Sequence, residues 1–130
     1  MGLNNAGTFD IIRANVSVNK NIQQTTIAST GVTVWAPAAG KSVVITNLQI
    51  QCFGTTAGTV QLWFGAVATT TFTRGTTAAL FDGEFAPSAT NKPGIINTFT
   101  PGVRGTADFV LKLTTSAAVS LNISVWGYEI

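Results

Sequence analysis

Apolar and polar residues alternate along most of this chain, and nowhere do apolar residues recur at helical spacing. The longest alternation begins at Val44, where every second residue up to Cys52 is apolar except Thr46. The intervening positions 47, 49 and 51 are Asn, Gln and Gln. A period of two over this length is typical of a half-buried β-strand. The segment therefore predicts a strand with one packed face and one polar face.

Two strand pairs are predicted to form hairpins. The turn residues G-T-T-A-G at 54–58 separate the first strand from a second alternation at Val60, Leu62 and Phe64. Near the C-terminus, residues 115–118 separate two further alternating stretches. Short alternating segments joined by turn residues favour antiparallel pairing.

The remaining segments also predict short strands separated by turns. Those strands are residues 32–36, ended by Pro37; 78–85, interrupted by a turn at Asp82-Gly83; and 95–99, ended by Pro101-Gly102. Residues 66–77 predict an edge strand or a long connection, and residues 86–94 predict a loop. Many short strands with regular turn signals and no helical segment predict an all-β fold. Residues 31–130 are therefore expected to form one jelly-roll-like β-sandwich.

Residues 1–30 differ from the rest because they are rich in amides and hydroxyls and sparse in apolar side chains. Residues 9–18 contain an alternation compatible with a strand, flanked by Asn and Gln. Two interpretations follow: an extended N-terminal arm that reaches a neighbouring subunit, or an edge strand of the sandwich.

The three tryptophans fall on the polar side of their strands: Trp35 beside Thr33, Trp63 beside Gln61, and Trp126 with Tyr128 two residues later. Rings on an outer sheet face favour a subunit or capsid interface, where aromatic residues are enriched. The alternative is that an arm, or a β-bulge that shifts the register, buries them within one chain. The predicted contact residues are Trp35, Trp63, Trp126, Tyr128, Phe9 and Ile11.

Only 9% of the residues are charged, and Lys and Arg occur singly along the chain. No basic run or stripe is available for phosphate backbones, so no nucleic-acid partner is expected. No apolar stretch approaches the length of a membrane span, and the N-terminus has no signal-peptide pattern, so no membrane partner is expected either. A neutral, Thr-rich, β-prone surface is prone to self-association, which favours a subunit covered by others.

Few residues of this chain are of the types that catalysis or metal binding requires. The chain has no histidine, and its single cysteine, Cys52, is on the predicted core side. Asp82 and Glu84 are a conceivable Ca²⁺ or glycosidase pair, but a solvated turn explains them better. We therefore expect no enzyme activity, cofactor or metal. Exposed tryptophans beside amides can stack on sugar rings, although glycan sites usually add charged partners that this chain lacks.

Three stretches carry a family resemblance: W-A-P-A-A-G-K-S-V-V-I-T-N-L-Q-I at 35–50, G-T-V-Q-L-W-F-G at 58–65, and the closing segment 107–128. They resemble small β-sandwich structural proteins of tailed bacteriophages, and among these most closely the decoration, or cement, proteins of the head. The resemblance implies a jelly-roll-like virion protein, commonly a homotrimer, made in the host cytoplasm. It would bind the major capsid protein at the capsid surface and stabilise the assembled head. The alternative is a tail, baseplate or fibre component that binds a glycan or receptor.

Overall fold

The computed structural model describes residues 18–24 and 31–130, and it is all β in those ranges. The eight strands are β1 (Val18–Gln24), β2 (Val32–Trp35), β3 (Val43–Cys52), β4 (Gly58–Gly65), β5 (Ala79–Phe85), β6 (Gly94–Arg104), β7 (Val110–Thr115) and β8 (Leu121–Glu129). The described ranges hold no helix that is long and apolar enough to cross a membrane.

The strands form two four-stranded antiparallel sheets. Sheet A has the order β1-β8-β3-β6, and sheet B has the order β2-β7-β4-β5. Eight strands divided between two sheets in this order form a double-sheet jelly roll. The prediction of an all-β, jelly-roll-like sandwich is thus confirmed.

The two predicted hairpins are wrong. Strands β3 and β4 lie in different sheets, and so do β7 and β8, so the turns after them are corners that cross from one sheet to the other. The paired neighbours of β3 are β6 and β8, which are distant in sequence. Among the described strands, β4 and β5 are the consecutive pair that lie side by side, joined by the long connection 66–78.

The core lies between the sheets and is formed by one inward face of each. Sheet A contributes Val43, Ile45, Leu48, Ile50, Cys52, Leu121, Ile123 and Val125, and sheet B contributes Val34, Trp35, Val60, Leu62, Phe64, Phe85, Leu111 and Leu113. Burying an aliphatic side chain of this kind contributes about 1.5–3 kcal/mol. Burial of these alternating apolar side chains is therefore the main source of the fold's stability.

A β-bulge at Thr46 interrupts the longest alternation. Ile45 pairs with Gly127 and Asn47 with Trp126, so Thr46 is an extra residue on β3. Its hydroxyl donates to the carbonyl oxygen of Trp126 over 3.1 Å. The bulge moves the inward face from odd positions before it to even positions after it. The placement of Val44 on the packed face was therefore wrong, since Val44 is buried but lies outside the core cluster.

Two further strand predictions need correction. Strand β5 runs through Asp82-Gly83 without a turn, because both residues pair with β4. Strand β6 continues past residue 99 to Arg104 and includes Pro101. Proline is tolerated there because β6 is an edge strand, where a missing N–H donor costs little.

At the other edge of sheet A, β1 pairs with β8 from Val18 to Gln24. This part of the segment 1–30 is a strand. Phe9 and Ile11 lie outside the described residues, and the arm predicted for the first residues remains a prediction.

Candidate functional site

The outer surface of sheet A carries an uncharged group of amides and hydroxyls, which we call the amide face. On β3 and β8 its members alternate with core residues, and on β1 they are two exposed asparagines; one indole completes the set. The members are Asn19, Asn21, Asn47, Gln49, Gln51, Asn122, Ser124 and Trp126. Register brings them into rows across the strands, with Gln49 opposite Ser124 on β8 and Ile96 on β6. The sheet thus assembles side chains that are far apart in sequence.

Several of these amides are held in fixed orientations. The side-chain nitrogen of Gln51 donates to the carbonyl oxygens of Lys92 and Cys52 at 2.8 and 3.1 Å. The nitrogen of Asn47 donates to the Thr98 hydroxyl at 3.2 Å, and that of Asn19 donates to a β8 carbonyl at 3.3 Å. Each bond fixes which way the amide points, so its oxygen faces a predictable direction.

Two adjoining grooves cross the amide face. The larger, about 690 Å³, is lined by Asn21, Gln49, Gln51, Asn122 and Ser124. The smaller, about 300 Å³, is lined by Asn47, Leu48, Gln49, Ile96 and Trp126. Gln49 lines both grooves, so they adjoin at β3, and no charged residue is among the described residues that line either of them.

The outer surface of sheet B differs because the connection 66–78 folds over it. Trp63 points outward from β4, as the alternation predicted, but its exposed fraction is 0%. Phe72 of the connection packs on the indole at a centroid distance of 6.1 Å, and the indole N–H donates to the Thr114 hydroxyl over 2.9 Å. The prediction that this ring is displayed was wrong, since the chain covers it with its own loop.

A buried lysine fastens that loop. Lys112 extends from β7 beside Trp63, with its ammonium 5.5 Å from the ring centroid, and its side chain is only 3% exposed. The ammonium donates to the carbonyl oxygens of Ala66, Val67 and Thr69. Burial lowers the pKa of Lys112 from its ordinary value, and the carbonyl dipoles oppose that shift by favouring the charged form. Lys112 therefore acts as a structural clamp.

Trp35 is also buried within the chain, at 3% exposure, so the prediction that it is displayed was wrong. The register of β2 shifts between Thr33 and Trp35, which turns the ring into the core. Its indole N–H donates to the Glu129 carboxylate over 2.8 Å, and the backbone N–H of Ala38 donates to the other oxygen over 3.0 Å. These bonds, with the Ala38 contribution larger, hold the pKa of Glu129 below its ordinary value.

Trp126 and Tyr128 keep partly exposed rings, so the contact role predicted for them stays a prediction. Sequence reasoning recognised Asn47, Gln49 and Gln51 as polar positions but assigned them no function. The sequence does show amides at every second position on β3 and again near the start of β8. It does not show that these two strands are neighbours, because they are far apart in sequence.

Asp82, one of the two carboxylates considered as a metal or catalytic pair, is bound by side chains of the same chain. Asp82 receives two bonds from the Arg74 guanidinium, at 2.6 and 2.8 Å, and one from the Gln61 amide at 3.2 Å. The Arg74 contact is the main reason that the pKa of Asp82 is lowered. No group of three or more potential metal-binding His, Cys, Asp or Glu side chains occurs among these residues.

No family model matches the sequence, and no curated protein matches it significantly. Among solved structures, the chain is similar to Eiger TNF from S. frugiperda, with 10% identity, coverage of 89% of this chain and 93% of that chain, and a TM-score of 0.52. It is also similar to a chain of the disulfide-linked pili of Bacillus endospore appendages (13% identity, 88% of each chain, TM-score 0.40). A third similar chain comes from tomato aspermy virus (10% identity, 99% and 94%, TM-score 0.43). The first likeness shows a shared fold alone, and the two lower TM-scores support no conclusion about this chain.

Proposed function

We propose that this chain is a non-enzymatic structural protein of a virion, which assembles with itself as a homotrimer and decorates the surface of a phage head. In this role it binds the major capsid protein. A subunit that binds only the assembled shell shifts the equilibrium towards the shell by mass action. Jelly rolls commonly serve as capsid subunits, although the fold also serves lectins and other proteins.

The observation that carries the proposal is that few charged side chains among the described residues are left without a partner in the same chain. Most charged groups among the described residues bind other groups of the same chain: Arg74 with Asp82, Lys112 with three carbonyls, Glu129 with Trp35 and Ala38, Asp108 with the Gly40 N–H, and Lys92 with the Gly54 carbonyl. Among the described residues, the side chains of Lys41, Glu84 and Arg104 are the charged ones that make no hydrogen bond, ion pair or cation–π contact. So few unengaged charges suit a surface that is covered by other subunits.

Immunogold labelling of virions tests the location. Antibodies are raised against the purified full chain and applied to intact particles of the virus whose genome encodes it. Label distributed over the head shell supports decoration. Label confined to the tail or its tip contradicts decoration and supports the alternative of a tail, baseplate or fibre component. Absence of label from particles, with the chain also absent from their denatured protein bands, rejects a virion role.

Sedimentation equilibrium of the full chain tests the oligomer. A species at three times the mass of one chain is expected, and a persistent monomer at high concentration contradicts it. Tyr128→Ala tests the contact role predicted for Tyr128, and a lowered oligomer mass is the expected result. Val67→Ala serves as the control, because Val67 is 74% exposed but lies on the connection that covers sheet B.

A further inference from the structure

We infer that the amide face of sheet A is a binding surface for an uncharged glycan, with Trp126 as its stacking platform. The inference does not depend on whether the chain lies on the head or the tail of a virion. It rests on the chemistry of the two adjoining grooves, which lie on the sheet surface that the connection 66–78 leaves uncovered.

The groove linings match the hydrogen-bonding pattern of sugar hydroxyls. A carboxamide presents both donors and an acceptor, and so it can pair with two neighbouring hydroxyls of a pyranose at once. Gln49, Asn122 and Asn21 present exposed amides from three adjacent strands. Asn21 and Gln49 lie in one row on either side of Ser124, and Asn122 lies in the next row beside Gln51. Adjacent strands are about 4.8 Å apart, so an extended oligosaccharide can follow these polar groups across the sheet.

Part of this ladder is arranged before any ligand arrives. The Gln51 amide nitrogen is engaged by the Lys92 and Cys52 carbonyls, which leaves its oxygen to accept from a ligand. Asn47 is held in the same way by Thr98. Side chains that are already ordered lose little conformational entropy on binding, which favours recognition of weakly binding sugars.

Trp126 supplies the apolar part of the surface. It lies beside Asn47 and Gln49 in the smaller groove, next to Ile96, whose exposed fraction is 75%. The face of an indole is electron-rich and attracts the weakly positive C–H groups on one face of a pyranose. The combination of an aromatic platform and convergent polar groups is typical of small-ligand sites.

Charge and polarity favour this ligand over a second copy of the chain. Among the described residues, no charged side chain lines the grooves, so an anionic glycan or phosphate finds no cation to pair with there. For a neutral glycan, amides take the place of the charged hydrogen-bonding partners that glycan sites usually add. Another protein surface packed on the amide face would have to pair each buried amide or leave it unsatisfied, at about 1–3 kcal/mol for each failure. A sugar ring covers fewer amides at a time and carries a hydroxyl on most of its carbons, so each covered amide has a donor or acceptor within reach.

A glycan array probed with the labelled full chain tests the inference. The array carries neutral hexose, deoxyhexose and N-acetylhexosamine oligosaccharides, with sialylated, uronic-acid and sulfated glycans for comparison. Binding to neutral glycans is expected, with little change at high salt because no charged side chain takes part. Hits are then measured in solution by calorimetry and by tryptophan fluorescence.

Variants locate the binding on the sheet. Trp126→Ala is expected to weaken it by about tenfold or more, Trp126→Phe to restore part of the loss, and Gln49→Ala to weaken it independently. Val67→Ala is the matched control and should bind normally. Circular dichroism confirms that each variant is folded.

Several outcomes overturn the inference. These are no binding to any neutral glycan, binding only to acidic glycans with loss at high salt, or binding unaffected by both Trp126→Ala and Gln49→Ala. If Trp126→Ala instead lowers the oligomer mass while no glycan binds, a second copy occupies the face. The virion labelling described above is unaffected by any of these results, so the two proposals fail separately.

Discussion

Gly127 occupies the most crowded backbone position of sheet A, and its replacement by alanine gives the sharpest test of the fold. A Cβ added there would stand 1.9 Å from the carbonyl oxygen of Val44 and 3.1 Å from the Cα of Ile45. Both are main-chain atoms of β3, opposite the bulge at Thr46, so rotation of a side chain cannot relieve the clash. Strands β3 and β8 would have to separate locally by about 1 Å or more.

The cost of that separation follows from the bonds it disturbs. Overpacking costs about 1–3 kcal/mol, and two weakened ladder hydrogen bonds add about 1 kcal/mol each. We expect Gly127→Ala to lower the free energy of unfolding by about 3–5 kcal/mol, a large share of the 5–15 kcal/mol typical of such a domain. Guanidinium titration followed by tryptophan fluorescence measures the loss.

Gly83→Ala is the matched control within a strand. The three heavy atoms nearest to a Cβ added there all belong to the ring of Phe81, with Cζ at 2.6 Å, and a change in the Phe81 χ1 angle can move that ring. Reduced freedom of the unfolded chain offsets part of the cost, so a loss below about 1.5 kcal/mol is expected. Equal losses for the two variants, or a loss below about 1 kcal/mol for Gly127→Ala, would refute the close approach of β8 to the β3 backbone.

Two further predictions concern buried polar contacts. Glu129 has a lowered pKa in the folded state, so its stabilising contribution is present above the ordinary glutamate value of about 4.3 and is lost as pH falls through the folded value. Glu129→Gln should therefore remove about 1 kcal/mol at neutral pH, a low figure because the residue is partly exposed. It should also flatten the acid limb of stability in urea titrations at several pH values. As a control, Glu84→Gln should change stability at neutral pH by less than about 0.5 kcal/mol. Lys112→Met removes the ammonium but keeps most of the stem, and should cost about 2 kcal/mol and speed proteolysis within residues 66–78. As a control, Lys41→Met should change stability by less than about 0.5 kcal/mol. If Lys112→Met is as stable as the parent, the bonds from the ammonium to the carbonyls make no net contribution to the free energy of unfolding.

The tryptophans show where pattern reasoning about single strands fails. Trp35 and Trp63 both lie on the polar side of an ideal alternation, yet both are buried. For Trp35 the cause is a register shift against β7, and for Trp63 it is a loop that returns over the sheet. A bulge adds one residue and reverses the side from that point on. Thr46, the one polar exception in the β3 pattern, marks such a bulge.

The amide face shows the same division between local and non-local information. Strands β3 and β8 are recognisable as half-polar from their own residues, since amides alternate with buried aliphatic side chains on both. Whether those amides form one surface depends on β1, β8 and β3 being neighbours, which is a matter of pairing between distant segments. Sequence periodicity contains no information about that pairing, and so the grooves and their shared residue Gln49 were not predictable.

Periodicity and composition were thus sufficient for the all-β class, the sandwich and most strand positions, because burial imposes a period of two on every half-buried strand. The partners of those strands, the sheet-crossing corners at 53–57 and 116–120, and the burial of two tryptophans depend on long-range contacts. Such contacts are selected by the packing of the whole core and by loops that return over it, which local patterns do not encode.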